Sequence, residues 1–413
     1  MHKWLALVVL AALPPAVVGQ ESWTSPDSAT MARARALLRT VPLIDTHNDL
    51  PYSLFERFGG DLSKVDLRRS EPKLAADIPR LRAGMVGAQF WSAYPSFDSL
   101  KTGGALRQAL RAIDVVHQVV RQYPEFGWAS TADDIERLFK EGKIGSMIGL
   151  EGGEGIDNTL AALRLFHTLG VRYMTLTHFG TLDWADAATD HPRHHGLTEF
   201  GEEVVRELNR VGIFVDISHV SAETMRDAIR VSQAPVIFSH SGARAINSHV
   251  RNVPDDVLVS LKKNGGVVMV NFIANYVPRT APAWLARRDS VAEALRAELN
   301  DGAEIARRQA EWERRNPHPR GTVADVADHI DHIKKVAGID HVGIGSDFYQ
   351  EDFTAMSIGL EDASKYPNLF GELLRRGYTD LEVQKVAGLN LLRAMREMER
   401  VAARLQQTPR TDD

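Results

Sequence analysis

Short apolar runs alternate with longer amphipathic segments along most of the chain. Most of the short runs are continuously apolar, which is typical of parallel strands buried on both faces. Eight of them are found, at residues 43–46, 86–91, 144–150, 172–177, 213–218, 235–239, 266–272 and 341–346. We therefore predict eight β-strands.

The longer segments carry apolar residues three and four positions apart, which indicates amphipathic helices. They cover residues 74–82, 105–121, 132–140, 159–169, 199–211, 222–231, 254–263, 323–336, 368–376 and 381–400. Ser221 precedes one of them as a capping residue. Gly84, Gly212 and Gly265 follow others, where a left-handed helix end fits.

The alternation of one strand with one helix predicts a parallel sheet, and eight repeats favour a closed (β/α)8 TIM barrel. The alternative is an open doubly wound sheet, which normally has a glycine-rich phosphate turn after its first strand. The stretch DTHNDLPY, residues 45–52, is not such a turn. We predict a single domain over residues 29–402, in which 279–320 form a charged helical insertion, and a disordered tail at 406–413.

The amino-acid composition limits the kinds of metal site and binding partner that are expected. The chain has 413 residues, a formal net charge of −5 and no cysteine. Disulfides and thiolate metal sites are therefore excluded, and any metal must be held by His, Asp, Glu or water. The nearly balanced charge offers no basic surface typical of nucleic-acid-binding proteins.

The first 19 residues are typical of a secretory signal peptide. A short basic start is followed by an apolar stretch at residues 4–18, and cleavage is expected before Gln20. The alternative is an uncleaved membrane anchor, but a span needs about 20 apolar residues and Pro14-Pro15 interrupt this stretch. We expect an exported protein, periplasmic or secreted, with no transmembrane anchor after signal removal.

Imidazoles and carboxylates follow six of the eight predicted strands. His47 and Asp49 end the first strand two positions apart, so their side chains point to the same side. The other candidates are Glu151, His178, His219, His240 and Asp347. Because barrel enzymes build their sites at the carboxyl ends of the strands, this recurrence predicts one shared site.

These side chains form a set of nitrogen and oxygen donors without a thiol. Zinc fits such a set well, and manganese, cobalt and iron are alternatives. One tetrahedral ion needs fewer ligands than are present. Two ions bridged by a carboxylate would use the set better, and would acidify a shared water into a hydroxide nucleophile.

Several longer stretches resemble the renal (membrane) dipeptidase family, a branch of the amidohydrolase-like metal-dependent barrels. They are DTHNDLPY, GAQFWS, GLEGGEGID, TLTHFGTLDWAD, DISHVS, FSHSGARAINSHVRNVPDD, NFIANY and GIGSDF. They run in the family's order from about residue 44 to 350, so the resemblance covers most of the predicted domain. It implies a dizinc hydrolase of unblocked dipeptides, including those with a C-terminal D-residue.

The resemblance also implies how the metal ions are held. His47 and Asp49 would bind one zinc ion, and His219 and His240 would bind the second. Glu151 would bridge the two ions. Since the chain lacks the cysteines of the mammalian members, a homodimer is expected to form without disulfides.

Four further residues receive catalytic or substrate-binding roles from the resemblance. His178 would contact the substrate carbonyl and help to stabilise the oxyanion. Asp347 would take a proton from the bridging water and deliver it to the leaving amine. Arg251 and Tyr276 would hold the C-terminal carboxylate of the dipeptide, which an arginine fork matches with two hydrogen bonds.

The sequence leaves alternative roles open for several of the polar residues. Asp347 is otherwise a further metal ligand or a structural group, and Arg251 a surface arginine at the start of the helix at 254. Asp45 and Asp216, within strands, either orient metal-bound imidazoles or pair with backbone. His329, in a helical pattern, is predicted to lie at the surface.

Two other functions are also compatible with the metal-binding residues. The same dinuclear mechanism can act on another amide, a lactam or an ester, because an activated hydroxide is chemically general. A non-catalytic metal-binding scaffold is the other possibility, although the complete set of ligands, base and carbonyl-binding histidine argues against it.

Overall fold

A barrel of parallel strands lies at the centre of the computed structural model, which describes residues 22–96, 103–349 and 353–407. The strands are β1 (Leu43–Asn48), β2 (Val86–Ala93), β3 (Phe126–Trp128), β4 (Ile144–Glu151), β5 (Val171–Thr175), β6 (Phe214–Asp216), β7 (Ile237–Ser241), β8 (Val267–Val270) and β9 (Val342–Ile344). All eight predicted strands are present.

Pairing between β2 and β4 closes the sheet. The strand order runs β2-β1-β9-β8-β7-β6-β5-β4, and β4 then pairs with β2 in a continuous register from Ala88↔Gly145 to Ala93↔Leu150. The predicted (β/α)8 barrel is therefore confirmed, and the open-sheet alternative is wrong.

The strand β3 was not predicted. It pairs with residues 144–146 of β4, whereas β5 pairs with residues 148–151 of the same strand. Three residues are too few for a sequence period to be read. A strand of this length depends on its neighbours, and here the Leu138 side chain packs over Gly127.

Helices surround the barrel between the strands. They are α1 (Ser28–Leu38), α2 (Leu50–Phe58), α3 (Ile78–Ala83), α4 (Ala105–Gln122), α5 (Ala132–Lys140), α6 (Leu160–Thr168), α7 (Glu199–Val211), α8 (Ala222–Val231), α9 (Asp255–Asn264), α10 (Ala281–Glu298), α11 (Gly302–Arg315), α12 (Val323–Val336), α13 (Tyr366–Arg375), α14 (Asp380–Gln384) and α15 (Asn390–Gln406). The sequence patterns did not predict α1 and α2. A π-helical turn, Lys385–Leu389, joins α14 to α15 inside the segment predicted as one helix.

Local capping explains where several helices begin and end. The helix predicted from residue 74 begins at Ile78, because the Asp77 side chain accepts the Arg80 N–H as an N-cap. Gly212 and Gly265 have φ of 87° and 85° and end α7 and α9 in the predicted left-handed conformation. Gly84 has φ of −77°, so the same prediction is wrong there.

The last helix closes the end of the barrel opposite the carboxyl ends of the strands. Leu391, Leu392 and Met395 of α15 join one buried cluster with inward-facing strand residues such as Phe90 and Val267. This apolar plug leaves the carboxyl ends of the strands as the end that is open to solvent.

The predicted helical insertion consists of α10 and α11, which pack against each other. Trp284 and Trp312 lie with ring centroids 5.7 Å apart, and the Trp284 indole N–H donates to the Asn316 carbonyl. Gln406, which was predicted to begin a disordered tail, still belongs to α15. The predicted signal peptide and residues 408–413 lie outside the described residues. None of the helices described is both long and apolar enough to cross a membrane.

Candidate metal centre

The residues predicted to form the site gather at the carboxyl ends of the barrel strands. His47, Glu151 and His240 lie in β1, β4 and β7. Asp49, His178, His219 and Asp347 follow β1, β5, β6 and β9, and Arg251 and Tyr276 belong to the segments after β7 and β8. A cleft of about 640 Å³ opens above them, and all of these residues except His47 and His240 line it.

Glu151 stands at the centre of this cluster. Its Oε2 lies 3.4 Å from Nε2 of His47, and its Oε1 lies 3.3 Å and 3.4 Å from Nε2 of His219 and His240. Nε2 of His47 is also 3.6 Å from Oδ2 of Asp49. The two oxygens of this carboxylate therefore face different imidazoles, while donor atoms of His47 and His240 also lie within 4.8 Å of each other and of Glu151.

Nε2 of His47 is a buried polar atom that forms no hydrogen bond with the residues described. The other ring nitrogen, Nδ1, lies 2.7 Å from the Tyr173 hydroxyl. Burial lowers the pKa of His47, but the neighbouring Tyr173, Glu151 and Asp49 outweigh it and raise the pKa well above its usual value. Positive charge is thus favoured at this point, and a bound cation would supply it.

The histidines on the other side of Glu151 are held neutral. Burial, with the positive charge of Arg251, lowers the pKa values of His178, His219 and His240 well below the usual range. A neutral imidazole offers the lone pair that a metal ion needs. The donor set, its burial and its three carboxylates therefore fit divalent cations.

The Asp49 carboxylate is not used to cap α2. Asp49 is the N-cap residue of α2, but its side chain makes no capping hydrogen bond. Its carboxylate instead faces Nε2 of His47, so it is available as a metal ligand.

His219 and Asp347 have left-handed backbone conformations, with φ of 66° and 65°. For residues other than glycine such conformations cost on the order of 1–3 kcal/mol and concentrate at functional sites. Each of these two turns directs a side chain from a strand end into the cleft. Aspartate and histidine are among the residue types enriched in this conformation, but the local sequence does not single out these two positions.

Asp347 is the acidic group of the cleft whose pKa lies close to neutral. Burial, with Asp49 and Glu151 nearby, raises its pKa to about 7 against the opposing effect of His47. Its Oδ1 lies 3.8 Å from Nε2 of His47. A carboxyl group with this pKa can both accept and donate a proton near pH 7.

His178 approaches Glu151 from the side of His219, with Nε2 3.5 Å from Oε1. Unlike His47 and His240, it lines the cleft, where its ring packs against Tyr94 with centroids 4.7 Å apart. It is therefore placed to meet a bound substrate as well as the metal cluster.

Arg251 is 1 % exposed, so the alternative of a surface arginine is wrong. One guanidinium nitrogen, Nη2, donates to the carbonyl of His240 at 3.4 Å. Nε and Nη1 form no hydrogen bond with the residues described, although they are buried. The guanidinium carbon lies 5.5 Å from the centre of the Tyr276 ring, which also lines the cleft.

Sequence reasoning missed two hydroxyls that hold the cluster. Ser92 at the end of β2 donates to Oε2 of Glu151 at 3.0 Å, and Tyr173 of β5 contacts His47. His329 was also misjudged, because it is fully buried. Its Nδ1 accepts from the Ala243 N–H and its Nε2 lies 2.9 Å from the Val277 carbonyl. It thereby links the segments that carry Arg251 and Tyr276.

Comparison with known proteins places this site in a family. The model of the membrane dipeptidase family (peptidase family M19) matches residues 31–409. The probable dipeptidase PvdM from Pseudomonas aeruginosa is 25% identical, with a TM-score of 0.79 over 91% of this chain and 99% of that one.

Two further crystal structures share the fold. One is a metallo peptidase from Rhodobacter sphaeroides, liganded with a phosphinate mimic of the dipeptide L-Ala-D-Ala. It is 23% identical, with a TM-score of 0.69 over 87% of this chain and 99% of that one. The other, dipeptidase AC, is also 23% identical, with a TM-score of 0.70 over the same shares. The chain thus belongs to the membrane dipeptidase family, peptidase family M19, and is a metal-dependent hydrolase of peptide bonds.

Proposed function

We propose that the protein cleaves unblocked dipeptides, including those with a C-terminal D-residue, with two zinc ions. The observation that carries this proposal is the buried guanidinium of Arg251, which lines the same cleft as the metal centre with two nitrogens unpaired. Buried donors that lack an acceptor are costly, so a negatively charged acceptor is expected at these two nitrogens. The free carboxylate of a short peptide has that charge and matches the geometry of the fork.

The placement of the donors supports two ions. His47 and Asp49 would hold one ion and His219 and His240 the other, with Glu151 between them, because its two oxygens face these two groups. When bound, the ions would polarise the scissile carbonyl and lower the pKa of a water so that it attacks near neutral pH.

The remaining steps fall to side chains of the cleft. Arg251 would bind the substrate carboxylate and so set the position of the peptide bond, with Tyr276 packed against the guanidinium. His178 would hydrogen-bond the carbonyl oxygen as negative charge develops there. Asp347 would accept the proton of the attacking water and donate it to the nitrogen of the leaving amine, so the proton is conserved.

Tolerance of a D-residue is supported by the ligand of the Rhodobacter neighbour, which mimics L-Ala-D-Ala. Binding of the C-terminal carboxylate by Arg251 does not involve the side chain of the C-terminal residue of the substrate.

The proposal that the protein is exported rests on the signal-like residues 1–19 alone.

The decisive experiment is hydrolysis of Ala-Ala by the purified protein before and after chelation. We expect cleavage of free L-Ala-L-Ala and L-Ala-D-Ala, loss of both activities with the chelator, and recovery on addition of zinc. C-terminally amidated Ala-Ala should be cleaved poorly because it lacks the charge that Arg251 binds. Two bound metal ions without cleavage of either free dipeptide would overturn the proposal and direct the search to lactams, esters and other amides.

The pH dependence of kcat/KM provides a second test. Since the pKa of Asp347 is about 7, the group is protonated at lower pH and cannot accept a proton from water. We therefore expect kcat/KM to fall as the pH decreases through about 7, with the metal content unchanged over that range. An acid limb that coincides with loss of metal would instead assign it to the ligands.

A further inference from the structure

Asp216 is a fully buried carboxylate at the end of β6, the strand that His219 follows, and β6 pairs with β7, which carries His240. Its Oδ2 accepts hydrogen bonds from Oγ of Ser239 at 2.6 Å and Oγ1 of Thr175 at 2.5 Å. Its Oδ1 accepts from the backbone N–H of Ser239 at 2.8 Å. Among the residues that the structure describes, the hydrogen-bond partners of Asp216 are Thr175, Ser218 and Ser239, and none is an imidazole.

Ser239 connects this carboxylate to His240. Its Oγ lies 2.9 Å from Nδ1 of His240, in addition to its contact with Asp216. A hydroxyl has one proton, and the carboxylate of Asp216 can only accept. The serine proton is therefore directed to Asp216, and the serine oxygen is left to accept a proton from Nδ1.

The direction of these two hydrogen bonds determines the tautomer of His240. With the proton on Nδ1, the neutral ring keeps a lone pair on Nε2. That atom points toward Oε1 of Glu151 at 3.4 Å and toward Nε2 of His219 at 2.9 Å. This is the tautomer that a metal ligand bound through Nε2 must have.

Asp45 and Ser346 form a second aspartate–serine pair with the same arrangement as Asp216 and Ser239. Asp45 of β1 accepts from both the backbone N–H and the hydroxyl of Ser346 at 2.7 Å. Both serines lie two residues beyond the strand partner of their aspartate, Ile237 in one case and Ile344 in the other. The residue after Ser346 is Asp347, which has no imidazole ring, whereas the residue after Ser239 is His240. Of the two pairs, only Asp216 and Ser239 can therefore act on an imidazole.

We propose that Asp216 is a positioning residue that sets the tautomer of His240 through Ser239, and thereby the affinity for the metal ion held by His219 and His240. This inference rests on the ligand role of His240 in the proposed function. In D216N the amide can donate to Oγ of Ser239. The serine proton then turns to Nδ1 and displaces the ring proton to Nε2, where it blocks the ligand.

The test is zinc titration in competition with a chromophoric chelator, which reports the affinity of each bound ion without any substrate. We expect D216N and S239A to keep one ion at wild-type affinity and to bind the other about 10- to 100-fold more weakly. S239T retains the hydroxyl, so it should bind both ions with wild-type affinity, unlike S239A. S239A removes only one hydroxyl, so it remains informative if D216N does not fold.

T175V is the matched control, because it removes the other side-chain donor to the same oxygen of Asp216 and leaves the path to His240 intact. It should bind both ions within about threefold of the wild-type affinity, well below the 10- to 100-fold loss expected when an outer partner of a metal ligand is removed. Equal losses in T175V and S239A, or wild-type affinity in both D216N and S239A, would overturn the inference.

The wild-type protein separates the two proposals. If it binds two zinc ions but cleaves no dipeptide, the proposed function fails while the affinity comparison still decides the role of Asp216. A wild-type protein that binds no zinc would overturn both.

Discussion

Asp347→Asn is expected to lower kcat for a free dipeptide by about 10²- to 10⁴-fold, the usual contribution of a positioned acid–base group. The reason is the combination of place and pKa. Asp347 lines the cleft, and burial and its acidic neighbours raise its pKa to about 7. Asparagine has nearly the same shape but can neither accept the proton of the attacking water nor return one to the amine.

Metal content distinguishes this role from that of a ligand. Asp347 lies near His47 and Asp49, and their donor atoms are close enough to hold one ion together. If Asp347 acts as a base, D347N should retain both ions, whereas D49N should lose one. A D347N protein that loses an ion in parallel with its activity would show that Asp347 is a ligand. Steady-state kinetics and metal analysis of the same samples provide both readouts.

Arg251→Met is expected to reduce kcat/KM for free dipeptides, mainly through a higher KM. Truncating one partner of a buried charge pair costs about 2–5 kcal/mol, which corresponds to a roughly 30- to 5,000-fold loss. Methionine retains much of the apolar contact with Tyr276 but has no charge and no donors. Cleavage of amidated Ala-Ala should hardly change, because that substrate lacks the carboxylate.

The preference for free over amidated substrate is therefore the most informative quantity. In R251M it should largely disappear. Arg244→Met is a control in the same segment, because the Arg244 guanidinium donates to the carbonyls of Asn252 and Val250 and does not line the cleft. R244M should lower thermal stability but preserve the substrate preference. An R251M protein that still prefers the free dipeptide would rule out Arg251 as the carboxylate-binding group.

Much of the barrel follows from local sequence pattern. Buried parallel strands are continuously apolar because both of their faces are covered, and the helices between them show a 3.6-residue period. Both patterns reflect which faces of a segment are buried, and they can be read from consecutive residues within that segment. Short or irregular elements carry no such period. The three-residue β3 and the π-helical turn before α15 therefore become apparent only after folding.

Sequence patterns were enough to predict which residues form the candidate metal centre. Strand-end placement alone puts Glu151, His219 and Asp347 at one end of a parallel barrel, since all strands point the same way. The motifs around them then suggest their roles. The structure brings these residues together and adds Ser92 and Tyr173 as hydrogen-bond partners of the cluster.

The orientation of these side chains and the contacts that hold them follow from the folded structure. The left-handed backbones of His219 and Asp347, the burial of Arg251 and the contact of Tyr173 with His47 all depend on residues distant in sequence. The same is true of the link from Asp216 through Ser239 to His240. Hydrogen bonds of this kind join residues from different strands whose relative positions are established only when the strands pair, so the separate segments cannot reveal them.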